Sequence, residues 1–237
     1  MTWSIVARDG DGSFGVAVAS RFFAVGALCP HARSGVGALS TQALVNPLYA
    51  VPALDALARG EPPDAIVRVL TAADPGRDHR QLHMIDAAGR VAAHTGAACI
   101  GWCGHRGGDG YSAAGNMLAG PDVLAATAAA YESAAALPFA ERLLVALAAG
   151  EAEGGDKRGK QAAALLIYTT EAYPALDLRV DDHAEPIGEL ARLLAKSYER
   201  FVPFVACLPR RDDPAGVVDR TVIEARIAQF AAVAAKD

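Results

Sequence analysis

Thr2 stands directly behind Met1, and a side chain that small permits removal of the methionine. Thr2 would then carry a hydroxyl close to its own α-amine, whose ordinary pKa of about 7.7–8.0 leaves a useful neutral fraction near neutral pH. Such an amine can take the hydroxyl proton during attack on a carbonyl, so one residue supplies both nucleophile and base. The same segment offers a competing reading. Gly10, Gly12 and Gly15 fall on the Gly-x-Gly-x-x-Gly spacing of a dinucleotide site, which needs a helix after the glycines to receive a pyrophosphate. Here the run FGVAVA follows and reads as a strand, which argues against that use.

Other stretches imitate sites less well. GGDKRGKQ (154–161) has P-loop spacing from Gly154 to Lys160, but Gln161 stands where Ser or Thr would hold magnesium, and the stretch sits between a helix and a strand in the wrong order. It reads as a glycine-rich helix end with favourable cations. Ser112 lies in GYSAAG and misses the Gly-x-Ser-x-Gly elbow by one residue. Cys29, Cys99, Cys103 and Cys207 make no disulfide framework in a chain of 237 residues. Cys99 and Cys103, flanked by His94 and His105, lack the second ligand pair of a structural zinc site, although a metal-dependent enzyme using them remains a third reading. His31, His79, His83, His94, His105 and His183 share no helix face and are expected at the surface or in loops.

The elements that must position Thr2 follow from pattern. Thr2 to Arg8 and Phe14 to Ala19 predict an N-terminal hairpin, with Asp9-Gly10-Asp11-Gly12 as its turn. Ser34 to Gln42 predicts a strand, and Tyr49 to Arg59 and Pro62 to Ala73 predict two helices. A second hairpin covers Gln81 to His94, and Gly110 to Leu118 predicts a strand. Helices are expected from Gly120 to about Ala135 and from Pro138 to Ala149. Strands at Ala162 to Thr170 and Leu178 to Asp181 precede a helix from Pro186 to Arg200. This order suggests two facing sheets with helical layers outside. The chain is 52% hydrophobic with net charge −5 and scattered Lys and Arg, so no nucleic-acid footprint is visible. No apolar run reaches the ~18 residues of a membrane span and no signal peptide is recognised, which reads as cytoplasmic.

TWSIVARD, GVAVASRFFAVG, GVGALSTQALVNPLY, AAHTGAACI, GNMLAG, GGDKRGKQ and LRVDDH together resemble the domain-of-unknown-function family 1028, within the N-terminal nucleophile (Ntn) hydrolase superfamily. The resemblance covers about Thr2 to Leu194. It implies an α+β fold, a four-layer αββα sandwich of two stacked antiparallel sheets between helical layers, over residues 1–196. Residues 197–237 are expected to form a mostly helical C-terminal extension, whose last helix, from about Val217 to Ala235, spaces Val218, Val222, Ile223, Ile227 and Phe230 for self-association as a homo-oligomer or for intramolecular packing.

The resemblance also implies Thr2 as nucleophile, and superfamily chemistry implies an amidohydrolase that forms an acyl ester on Thr2 from a small amide or acylated amino acid. No cofactor and no metal are expected. Lysine-assisted members of that superfamily place a Lys beside the Thr, whereas the first lysine here is Lys157. Arg21 is the nearest cation after the second strand; it is permanently protonated and cannot be the base. Asn116 is a candidate oxyanion donor at a strand end. Ser20, Thr41, Gln42 and Thr95 are candidate substrate contacts at strand ends. Arg21, Lys157 and Arg158 would favour an anionic group on a small-molecule substrate if they converge. The alternative, from a different class, is a non-catalytic ligand-binding or assembly protein on the same fold; retention of Met1 would favour it, because an acylated amine is no base.

Overall fold

The first hairpin fixes the register around Thr2. Strand β1 (Thr2–Arg8) turns at Asp9 and returns as β2 (Phe14–Ser20), with Thr2 opposite Ser20 and Arg8 opposite Phe14. The structure is a computed structural model and describes residues 2–234. Met1, whose removal the expected chemistry would require, lies outside the described residues, as does Ala235, the expected end of the last helix.

Strands β3 (Pro30–Arg33) and β4 (Gly37–Ala43) follow, then helices α1 (Ala50–Ala58) and α2 (Pro63–Ala73). Next come β5 (Arg80–Asp86), β6 (Val91–Thr95), β7 (Trp102–Gly108) and β8 (Tyr111–Leu118). Helices α3 (Asp122–Ser133) and α4 (Phe139–Ala152) precede β9 (Ala162–Tyr168) and β10 (Leu176–Val180). Helices α5 (Pro186–Glu199), α6 (Phe201–Val205) and α7 (Arg220–Ala234) complete the described chain. The described residues thus form a mixed α/β protein with two antiparallel sheets. One has six strands in the order β10-β9-β2-β1-β8-β7, the other four in the order β3-β4-β5-β6. β1 is interior to the larger sheet, paired by β2 on one side and β8 on the other, so the backbone carrying Thr2 is held by two ladders.

Alternation along the strands decides what each face meets. Val6, Phe14 and Val16 of the larger sheet pack with Ala38 and Ile85 of the smaller one. Trp3 points the other way and donates its indole N–H to the Leu147 carbonyl of α4 at 3.2 Å. Gly15 is where α4 comes closest: a Cβ there would lie 2.4 Å from Leu143 and 2.9 Å from Phe139. The third glycine of the dinucleotide-like spacing therefore serves helix packing. On the smaller sheet, Leu39, Leu82 and Met84 turn away from the larger sheet and pack with Leu54, Leu57 and Ile66 of α1 and α2. Each such aliphatic side chain contributes about 1.5–3 kcal/mol by leaving water.

Three expectations are corrected here. The strand expected over Ser34 to Gln42 starts only at Gly37, as β4; residues 34–36 are the turn, with φ +69° at Gly35, that joins it to the unforeseen strand β3. β7 was not foreseen, because WCGHRGG carries glycines and charges instead of alternating apolar residues. As an edge strand it has little face to bury, and most of it is exposed or half-buried. Val218 lies before α7 begins and is exposed.

Contacts divide the chain at Leu190 into two compact units. The first holds both sheets. In the second, Arg200 makes a bidentate contact with Glu224 and Tyr198 stacks on Phe230 with ring centroids 6.5 Å apart. Among the described residues no helix is long and apolar enough to cross a membrane.

Candidate active site

Because residues opposite each other in a ladder share a face, the pairings Thr2 with Ser20 and Thr2 with Asn116 put three polar side chains side by side at one end of the larger sheet. The Thr2 and Ser20 hydroxyls are 3.1 Å apart. Asn116 approaches from the other neighbour, its Nδ2 3.5 Å from the Thr2 carbonyl oxygen. All three are buried, Thr2 at 5% exposure. A recess of about 50 Å³ opens at Thr2, walled by Phe22, Val25, Leu28, Cys29 and Val45, with Gln42 as its other polar lining residue.

Asn116 is oriented by a residue the sequence reading passed over. Its Nδ2 donates to Gln81 Oε1 at 2.9 Å, which also accepts from Gln42 Nε2 at 3.0 Å. Gln81 Nε2 is anchored on the Gly115 carbonyl at 2.7 Å and also contacts the Gly104 carbonyl and Thr95 Oγ1. Gln42 Oε1 accepts from Ser4 at 2.7 Å and from Ser40 at 3.3 Å. This chain of amides ties the smaller sheet to the Thr2 end of the larger one. Leaving any one of its groups unpaired would cost about 1–3 kcal/mol.

A second polar cluster has the distances of a serine–histidine pair but not its chemistry. Ser4 Oγ lies 2.8 Å from His83 Nε2, and His83 Nδ1 lies 3.1 Å from Ser112 Oγ. Because Ser4 gives its proton to Gln42, His83 Nε2 must be the donor to Ser4, and Nδ1 accepts from Ser112. All are at most 1% exposed. Burial, aided by His105, pushes His83 down to about 3, which makes it a poor base at neutral pH. The expectation that His83 lies at the surface is overturned: its place on β5 turns it between the sheets.

The remaining candidates disperse. Thr41 turns away from Gln42, and its hydroxyl bonds the backbone of Asn46, fixing the turn into α1. Thr95 Oγ1 bridges Gln81 and His105. The Arg21 guanidinium donates to the Arg158 carbonyl at 2.8 Å, and the Arg21 amide donates to Asp156 at 3.1 Å. Arg158 binds the same carboxylate through its amide and its guanidinium. Lys157 Nζ lies 3.2 Å from where a Cβ on Gly101 would stand. The buried Asp156 thus gathers Arg21 and Arg158 into one exposed loop beside the ends of β2 and β8, where it also bridges Leu118.

Backbone strain concentrates here. Among the described residues, the non-glycine residues with positive φ are Ala24 (53°), Ala43 (69°) and Met117 (53°). Ala43 follows Gln42 and lines the recess, Met117 follows Asn116, and Ala24 precedes the wall residue Val25. Each costs about 1–2 kcal/mol, and such outliers cluster where geometry is imposed for function. Cys29, in the recess wall, is no rival nucleophile, since burial pushes its thiol up to about 12. Around Cys99 and Cys103 each group has its own partner: Cys103 meets the Cys99 carbonyl, His94 the Arg77 carbonyl and His105 Thr95. No group of three or more His, Cys, Asp or Glu able to hold a metal occurs among the described residues.

A family model described as a family of unknown function, DUF1028, matches residues 2–190. No curated protein matches. Among solved structures, the crystal structure of protein SPO2555 from Silicibacter pomeroyi, described under the same DUF1028 family, superposes with a TM-score of 0.84 at 32% identity, covering 92% of this chain and 99% of that one. Anbu, an ancestral beta-subunit from Yersinia bercovieri, gives a TM-score of 0.39 at 14% identity over 88% of this chain and 98% of that one.

Proposed function

This chain belongs to the DUF1028 family of unknown function, and on the geometry of its site we propose that it is an N-terminal-nucleophile amidohydrolase with Thr2 as nucleophile once Met1 is removed. The single observation that carries the reading is the position of Thr2: first residue of an interior strand, its hydroxyl 3.1 Å from that of Ser20, at the edge of a recess that Thr2 itself lines. The contacts of the two sheets with each other and with α1, α2 and α4 support an αββα sandwich of the Ntn type.

The freed α-amine takes the Thr2 hydroxyl proton as Oγ1 attacks the amide carbonyl. Ser20 holds that hydroxyl in place. The oxyanion meets the Asn116 amide, which Gln81 keeps pointed at Thr2. The ammonium then protonates the leaving amine, and an acyl ester remains on Thr2 until water, activated by the same amine, releases it. No cation needs to act as base. An anionic group on the substrate would meet the exposed Arg21 and Lys157.

Turnover of short acylated amino acids by the wild type, its loss in Thr2→Ala and its partial retention in Thr2→Ser test the proposal, because serine keeps both hydroxyl and amine. Wild-type rates in Thr2→Ala would remove Thr2 from the mechanism.

A further inference from the structure

The recess beside Thr2 is narrow and walled mainly by apolar side chains, and its size speaks to the substrate. Its volume of about 50 Å³ is room for a few groups of water size, at roughly 10–15 Å³ each. That suits a side chain of up to about four non-hydrogen atoms, whereas a phenyl ring would have to displace the exposed Phe22 wall. Among the described residues, no Lys, Arg, Asp or Glu lines it. The amide of Gln42 is engaged with Ser4, Ser40 and Gln81, and the neutral Cys29 thiol offers no charge. A charged substituent placed there would be desolvated without a partner, at a cost of several kcal/mol.

The inner wall is pinned, while Phe22, 52% exposed, forms the outer side. Val25 and Cys29 belong to a core cluster with Val18, Ala162 and Ala164, and Val45 packs against it. Gly26 lets the short turn Val25–Ala27 sit flush on β9, since a Cβ there would be 2.5 Å from Ala164. The Ala24 amide is tied to the Asp181 carbonyl at 3.0 Å, and Leu44, beyond Ala43, is tied to the His79 carbonyl at 3.0 Å. A pocket held this way is pre-formed, so its dimensions discriminate.

We infer that this recess receives the substituent on the carbon next to the scissile carbonyl and restricts the substrates to acyl groups whose substituent there is small, aliphatic and uncharged. The inference rests on the proposed role of Thr2. Specificity is then set by Leu28 and Val45, which touch the substituent, while the polar or anionic remainder of the substrate lies outside.

The test uses β-lactones that differ at the carbon next to the carbonyl, one carrying methyl and one benzyl. Thr2 Oγ1 attacks the carbonyl, the ring C–O bond breaks, and the ring oxygen leaves as a hydroxyl that takes up the transferred proton. The adduct therefore adds the whole lactone mass and needs no co-reactant. Rates are followed by intact mass, mapped to Thr2 by fragmentation, and divided by each lactone's rate with hydroxylamine. The methyl compound should acylate Thr2 at least tenfold faster than the benzyl compound. Leu28→Ala should shrink that ratio, and Val45→Phe should slow the methyl compound. Acylation of Thr2 with equal rates or with a benzyl preference overturns the inference and leaves the nucleophile assignment standing. No Thr2 adduct from either lactone overturns the assignment and the inference together.

Discussion

Thr2 and Ser20 face each other across the β1–β2 ladder with their hydroxyl oxygens 3.1 Å apart, both buried. A nucleophilic hydroxyl has three rotamers, and a fixed partner selects among them. Ser20→Ala removes that partner without adding bulk. The fold should survive the loss of its buried hydrogen bonding, at about 0.5–1.5 kcal/mol per bond, while acylation of Thr2 slows by about tenfold or more. Rates within a factor of two of wild type would assign Ser20 to packing alone.

Gln81 should act at a distance from the chemistry. Gln81→Leu keeps the shape but strips partners from Asn116, Gln42 and the Gly115 carbonyl. We expect a stability loss of about 3 kcal/mol or more in urea titration, from three buried groups left short of a partner at about 1–3 kcal/mol each. In amide hydrolysis kcat should fall while KM changes little, because the oxyanion donor loses its orientation and the recess does not. A change confined to KM would contradict the positioning role.

His83 predicts an acid-sensitive fold. Its native pKa is depressed to about 3 by burial, whereas the unfolded side chain titrates near the ordinary value of about 6.5. Below pH 6.5 the unfolded chain gains a proton that the folded one refuses, so stability is lost as pH falls toward 3. At pH 5 the loss from this residue is about 2 kcal/mol. His83→Gln should be less stable at pH 7, where it breaks contacts with Ser4 and Ser112. Between pH 7 and 5 it should lose about 2 kcal/mol less than wild type. Parallel pH profiles for the two proteins would refute the assignment.

Ala43 carries a left-handed backbone at the recess, φ 69°. Glycine relieves about 1–2 kcal/mol of steric cost there and gives back about 0.5–1 kcal/mol in chain entropy. Ala43→Gly should therefore raise stability by up to about 1.5 kcal/mol while slowing Thr2 acylation, because the wall that Ala43 fixes is loosened. A destabilised variant would show that this backbone is not strained.

How much of this was legible in the sequence depends on the kind of signal. Strands and helices with a clean apolar period, such as β1, β2 and α2, were readable within a residue or two, and so was the candidacy of Thr2, which rests on chain position. β7 was not, because an edge strand with glycines buries no regular face. Gln81, Gln42 and His83 form their network within the smaller sheet and across the gap to Ser4 and Asn116, through pairings 35 to 79 residues apart in sequence, and no local pattern marks such partners. His83 in RQLHMID sits at an alternate position between Gln81 and Ile85, and that alternation was the available clue that it faces inward. Arg21 and Arg158 meet through Asp156, a carboxylate that spacing alone did not single out.

The most direct measurement is the intact mass of the native, tag-free protein before and after exposure to β-lactones, with the adduct mapped by fragmentation. The account predicts a chain lacking Met1 that gains a single adduct on Thr2. A chain that retains Met1 and takes no adduct would contradict it and favour a ligand-binding or assembly protein on this fold.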